Sequence, residues 1–159
     1  MVYSTIIIEI IEKNMKITYK GDYALKAVLA LAVHYGQVIT IHDLSKRTDT
    51  PIKFLEQVLL DLKRGGFVES RRGKIGGYLL AKHPSRIKLG EVISFIDGPL
   101  EPINCIAKEY TGCRDVNKCV FRKIWREVTV AIGKVIDNIT FEDLANQARE
   151  KKEGLAYSI

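Results

Sequence analysis

The sequence is poor in the features that announce a specialised protein class. It has three cysteines, four prolines, two methionines and one tryptophan in 159 residues. Prolines and glycines are too few for a collagen-like or low-complexity chain, and an apolar fraction of 47% is too high for a disordered one. The longest apolar run, Ile6–Ile8 with Ile10 and Ile11 after Glu9, falls well short of the ~20 residues a membrane helix needs. No basic flank precedes that run and no small-residue cleavage site follows it, so a secretory leader is not expected and a cytoplasmic location is. Enzyme signatures are also missing. There is no P-loop, no Gly-x-Ser-x-Gly and no recognisable nucleophile–base pair, so neither a reaction nor a small-molecule substrate is expected.

What is present is charge in one place. The formal net charge is +6, and the 26 residues from Lys63 to Lys88 hold eight bases against Glu69 as the one acid. The other 133 residues are almost neutral. A local basic excess suits a polyanion partner, although a solvated basic loop would look the same by charge alone. The cysteines are equally local: Cys105, Cys113 and Cys119 share 15 residues of polar sequence. Their odd number and the expected reducing compartment argue against a disulfide framework.

Periodicity supplies the organisation. Residues 1–14 read as an extension of undecided structure. From Gly21 to Gly36, Ala24, Leu25, Val28, Leu29, Ala32 and Tyr35 recur at helical spacing. Thr40-Ile41-His42-Asp43 is a capping box opening a short helix through about Thr48. Thr50 and Pro51 then read as N-cap and first residue of a second helix, with Phe54, Leu55, Val58, Leu59 and Leu62 as its buried stripe and Gly65-Gly66 as its stop. Two short helices across a tight turn make a helix-turn-helix, whose second helix can enter a major groove. Two short strands around Gly73, Gly76 and Gly77 follow, with Arg71, Arg72 and Lys74 at the tip: a basic wing. Leu89–Asp97 reads as a short helix, residues 101–119 as a loop, and Val120–Ile136 as the longest helix. On that helix Phe121, Ile124, Trp125, Val128, Ile132, Val135 and Ile136 form one apolar face, suited to dimerisation or to packing on the chain's own core. Thr140 caps a last short helix, and a loose tail follows from about Arg149.

The predicted fold is therefore mainly α (α+β), with a winged helix-turn-helix domain over 15–98. A cysteine-bearing loop spans 99–119, a dimerisation helix and terminal helix span 120–148, and a tail spans 149–159. On the second helix Lys53, Glu56 and Gln57 should face a groove, where Gln suits adenine, Glu suits cytosine N4, and Lys suits guanine or phosphate. An intrahelical role for Glu56, pairing with Lys53 or Lys63, stays open.

Over residues 15–146 the order of motifs resembles a known family. Met15 to Leu25, Phe54-Leu55-Glu56-Gln57, Arg72-Gly73-x-x-Gly76-Gly77-Tyr78-Leu79-Leu80, Gly90-Glu91-Val92-Ile93 and three downstream cysteines are similar to the bacterial winged-helix iron–sulfur regulators typified by IscR and NsrR. The resemblance implies a homodimeric transcription factor on a pseudo-palindromic operator in double-stranded DNA, responsive to cluster status, redox state or nitric oxide. It implies that Cys105, Cys113 and Cys119 ligate an iron–sulfur cluster, 4Fe–4S with 2Fe–2S as the alternative. The IscR-type fourth ligand, a histidine three residues after the last cysteine, is replaced here by Arg122. His34, His42 and His83 lie far from the cysteines in sequence and read as ordinary residues. The NsrR-type ligand is an aspartate from the partner's first helix, and Asp22 stands at that place. Favourable interaction with the helix dipole is the competing explanation for Asp22, and Glu109 or Asp115 could substitute as ligands. Zinc is a competing metal, though its cysteine pairs are commonly closer together. A metal-free regulator controlled by thiol redox or by a protein partner is the remaining alternative.

Overall fold

The computed structural model describes residues 16–107 and 110–156. The N-terminal extension and Glu109 lie outside them. The chain divides into two compact units, one holding residues 17–98 and 136–156, the other residues 99–135.

The first unit is a winged helix-turn-helix. Its elements are α1 (Tyr19–Val33), α2 (Ile41–Thr48), α3 (Ile52–Arg64), β1 (Val68–Arg71), β2 (Gly77–Leu80), a 3-10 turn (Pro84–Arg86), α4 (Leu89–Ile96) and α6 (Phe141–Ala156). Each helix start has a local cause. Thr18 accepts from the Gly21 amide at 3.0 Å, and its own amide and hydroxyl donate to the Asp97 carboxylate at 2.9 and 2.6 Å, which ties the start of α1 to the end of α4. Thr40 caps α2 as its sequence requires, accepting from the Asp43 amide at 3.2 Å. The cap of α3 differs from expectation. Pro51 is the capping residue, and its carbonyl takes the amides of Phe54 and Leu55. Thr50 is buried instead, its hydroxyl donating to the Thr48 carbonyl at 3.2 Å, because the turn between α2 and α3 folds it inward.

The core is one cluster. Ala24, Ala27, Val28, Leu31 and Ala32 of α1 meet Leu55, Val58, Leu59 and Leu62 of α3, with Leu44, Val68, Leu80, Ile87 and Val92 around them. Removing such side chains from water supplies the unit's main stabilisation. Phe54 leaves the stripe assigned to it. It is 55% exposed and lies against Tyr23, because the buried face of α3 is centred on Leu55, Val58, Leu59 and Leu62, one position round the helix. Tyr35 is exposed as well, beyond the end of α1.

The wing is a two-stranded antiparallel sheet in register Val68↔Leu80 through Arg71↔Gly77. Ile39 adds a bridge to Tyr78 with reciprocal bonds of 2.8 and 2.9 Å. Gly77 is required there, since a Cβ would run into the Ile39 carbonyl. Gly73 turns the hairpin at φ +130°, where side-chain-bearing residues are strained.

The last helix departs from the sequence reading in place and in length. α6 packs on α1, burying Phe141 and Ala145 completely or nearly so, and its start is pinned by the Phe141 amide on the Ile87 carbonyl at 2.9 Å. It also continues through Ala156, past the point where a tail is expected. Arg149 explains part of this. Its guanidinium donates to the Val33 carbonyl at 2.8 Å, satisfying one of the free carbonyls at the C-terminal end of α1.

The second unit contains a 3-10 turn (Asn104–Ile106) and α5 (Val120–Ile136). No residue of α5 is fully buried, and Val120, Phe121, Ile124, Val130 and Val135 are all exposed. Among the described residues no helix is long and apolar enough to cross a membrane.

Phe141→Ala should therefore cost about 3–5 kcal/mol through the cavity it leaves. Phe54→Ala, at an exposed ring, should cost less than about 1 kcal/mol. Urea unfolding monitored by circular dichroism checks both; equal costs would contradict the assigned core.

Candidate nucleic-acid interface and cysteine loop

Lys53, Glu56 and Gln57 are exposed on α3, as expected of residues opposite the stripe Leu55, Val58, Leu59 and Leu62. Arg71 closes β1, and Arg72 and Lys74 are exposed in the hairpin turn. The end of α3 is joined to the wing by Lys63, whose ammonium donates to the Ser70 hydroxyl at 2.6 Å. A side-chain contact thus links the end of α3 to the first strand of the basic hairpin. One residue that the sequence pattern does not single out is Ile75, an apolar side chain 80% exposed in the hairpin turn beside Lys74. The available signal is an isoleucine within a glycine-rich basic turn, where burial has nothing to offer.

Asp61 is a second such residue. Its side chain is only 15% exposed and pairs with Lys20 of α1 at 2.7 Å and with Arg64 at 3.3 Å. The Lys20 ammonium holds its carboxyl below the ordinary aspartate range, with burial opposing and the Gln57 amide and Arg64 assisting. Gln57 and Lys20 also line one cleft of about 380 Å³ with Tyr19, Tyr23, Phe54 and Val58.

The cysteines are free thiols. Cys105 lies in the 3-10 turn, Cys119 directly precedes α5, and both are half-buried; Cys113 is exposed between them. Arg122, in the first turn of α5, donates its Nε–H to the Cys105 carbonyl at 2.8 Å. The residue standing at the IscR-type histidine position therefore joins the first cysteine's backbone to the helix that follows the last. Asp22, in the first turn of α1, pairs with Lys26 at 2.7 Å and is about half exposed. Asp115 is exposed in the cysteine loop. Of the histidines, His34 contacts the Ala30 carbonyl and Arg47, and His83 contacts Ser85; both are occupied within the winged-helix unit. Three thiols in one short segment are a donor set whose chemistry fits an iron–sulfur cluster. Among the described residues, no three histidine, cysteine, aspartate or glutamate side chains gather as a metal site within the single chain.

A short helix, a tight turn, a second helix with a polar outer face and a basic hairpin together define a winged helix-turn-helix DNA-binding protein. Comparison with known proteins gives the family. The chain belongs to the Rrf2 family, described as iron-dependent transcriptional regulator, whose model matches residues 17–147. It is 37% identical over 133 residues to the HTH-type transcriptional regulator IscR of Yersinia pseudotuberculosis, covering 83% of this chain and 80% of that one. It superposes on CymR, the global cysteine regulator of B. subtilis, with TM-score 0.70 at 31% identity, covering 83% and 97% of the two chains. The T. potens IscR structure gives TM-score 0.67 at 30% identity, covering 86% and 90%. The protein is a DNA-binding transcriptional regulator and not an enzyme.

Because the Asp61 carboxyl is depressed, its stabilising effect is complete above the ordinary value of about 3.9 and is lost as pH falls through its lower folded value. Asp61→Asn should lower the urea midpoint near pH 7, and the difference from the parent protein should shrink as pH falls below the ordinary aspartate range. A difference that stays the same at every pH would contradict the ion-pair assignment.

Proposed function

We propose that this chain is a homodimeric transcriptional regulator whose operator binding follows the state of an iron–sulfur cluster held by Cys105, Cys113 and Cys119. The observation that carries this reading is the set of three free thiols in the segment leading into α5, in a chain of an iron-dependent regulator family. Bound there, the cluster would supply a redox-active centre that also reacts with nitric oxide. The 4Fe–4S form is preferred, with 2Fe–2S as the alternative. Arg122 offers only hydrogen-bond donors, so the proposed fourth ligand is an oxygen donor, Asp22 of the other copy, with Asp115 or Glu109 as the local alternatives. To serve, Asp22 must leave Lys26, an exposed pairing that is weakly held.

The DNA side of the reading uses the chain's own residues. Lys53, Glu56 and Gln57 face base edges, while Arg71, Arg72 and Lys74 hold phosphate or the minor groove. The exposed apolar face of α5 is the proposed dimer contact, since leaving Phe121, Ile124 and Val135 in water is unfavourable. A two-fold dimer presents two reading helices and so matches a pseudo-palindromic operator. The route between the two functions is short. α1 carries Asp22 and, two residues earlier, Lys20, whose ammonium grips Asp61 of the reading helix. Whatever displaces the start of α1 therefore acts on α3 directly. The proposed site of action is the cytoplasm, where DNA and reduced thiols coexist.

A second reading has an observation of its own. Cys113 is an exposed free thiol, and CymR, named as a global cysteine regulator, shares this fold at 31% identity. Thiol oxidation at Cys113, with no metal, would then control DNA binding; zinc bound by the same thiols is the other metal alternative.

Anaerobic purification with iron and inorganic sulfide counted separates these readings. The cluster account predicts stoichiometric iron and sulfide with visible absorption, lost in Cys113→Ser; a colourless protein, or one holding zinc alone, overturns it. On the DNA side, Lys74→Ala should weaken binding to all operators alike and reduce the salt slope by about 1. An unchanged slope would remove the wing from the interface.

A further inference from the structure

The tip of the wing carries an apolar side chain that neither burial nor turn chemistry explains. The Gly76 amide donates to the Gly73 carbonyl at 3.1 Å, closing a four-residue turn with Lys74 and Ile75 at its two corners. Turn corners favour glycine, proline, asparagine, aspartate and serine, whereas a β-branched side chain suits a strand. Ile75 nonetheless stands at a corner and is 80% exposed. The turn that presents it is braced. Its strands pair from Arg71↔Gly77 back to Val68↔Leu80, and Tyr78 bridges to Ile39. Gly76 packs so closely that a Cβ there would meet the Arg71 carbonyl at 2.9 Å.

The surroundings of Ile75 restrict what it can meet. Arg71, Arg72 and Lys74 are all exposed beside it, and their side chains donate hydrogen bonds and accept none. The side-chain acceptors of the wing, Glu69, Ser70 and Tyr78, begin one strand pair behind Arg71↔Gly77, and the Ser70 hydroxyl already accepts from Lys63. An apolar point flanked by cations matches a narrow groove between two phosphate chains, the minor groove of duplex DNA. There A·T and T·A present only acceptors, which lysine and arginine can satisfy. G·C adds a single donor, the guanine 2-amino group. Under an isoleucine that amino group loses water and finds no side-chain acceptor at the tip, which is unfavourable.

We propose that Ile75 is a specificity-determining residue of the wing: seated in the minor groove, it excludes the guanine 2-amino group and so selects A·T over G·C at the base pair it covers. The proposal rests on the reading of the wing as part of the DNA interface. It gives the hairpin a part in choosing sequence, beside the affinity that its cations supply. An Ile75 that only touches sugar or phosphate would alter affinity for every sequence by the same factor. An Ile75 that covers a base pair alters the ratio between sequences.

The test uses the full-length protein and operators obtained by selection from a random duplex pool, at fixed salt. Each base pair of a half-site and its flanks is made in turn A·T, G·C and hypoxanthine·C. Hypoxanthine keeps the O6 and N7 of guanine in the major groove and lacks only the 2-amino group, so the pair separates minor-groove reading from reading by α3. At one position G·C should bind about fivefold or more weakly than hypoxanthine·C, the scale of one disfavoured base pair, with A·T close to hypoxanthine·C. Ile75→Ala should bring that ratio towards unity, Ile75→Val should retain it, and Lys74→Ala should weaken all three duplexes alike. If the ratio exists and Ile75→Ala leaves it intact, another group reads the amino group and the role of Ile75 is overturned. The role is overturned equally if Ile75→Ala weakens all three duplexes by one factor, or if no position distinguishes guanine from hypoxanthine. In those cases a salt slope reduced by Lys74→Ala keeps the wing in the interface; an unchanged slope removes the wing and the proposal together.

Discussion

The burial of one face of α3 against α1 is the constraint on which the rest of this molecule depends. Leu55, Val58, Leu59 and Leu62 are shielded from water by Ala24, Ala27, Val28 and Leu31, and the small alanines let the two helices approach closely. With that face fixed, the outward direction of Lys53, Glu56 and Gln57 follows from helix geometry alone. The Lys20–Asp61 pair adds a polar fastening at the edge of the same contact. A disturbance of α1 is consequently passed to α3, the helix proposed to face DNA, as the proposed regulation requires.

The cysteine unit is built on a different principle. It buries little: Ile106 is its one buried hydrophobic residue among those described, and much of the apolar face of α5, including Phe121, Ile124 and Val135, is exposed. Such a face is unfavourable alone and favourable when covered, so association and the order of this unit are expected to be linked. The Arg122 bond to the Cys105 carbonyl is a contact between its two cysteine-bearing ends that spans 17 residues. A cofactor bridging the three thiols would add further cross-links where packing supplies few. The proposed cofactor would thereby act as a lever on the whole unit.

Much of the winged-helix unit is legible in the sequence because its signals are local. The Thr40 cap, the glycines of the wing and the 55-58-59-62 stripe act within a few residues, and each falls where its pattern places it. Contacts set by tertiary packing are not legible. Phe54 has a core residue's chemistry but sits one position off the buried face, and Thr50 has a cap's chemistry but is folded inward by the turn before Pro51. The placement of α6 against α1 needs Phe141 to meet partners more than 100 residues earlier, which no local pattern can announce. At the candidate site, residue types are readable and partners are not. Asp61 appears in the sequence as one acid in a helix; only the approach of Lys20 makes it notable.

The most direct test of the account measures operator affinity for the same preparation with its cluster intact and after anaerobic removal of the cluster, at fixed salt. The account predicts isotherms that differ by about tenfold or more on at least one selected operator, a coupling of about 1.4 kcal/mol. Superimposable isotherms on every selected operator would contradict it.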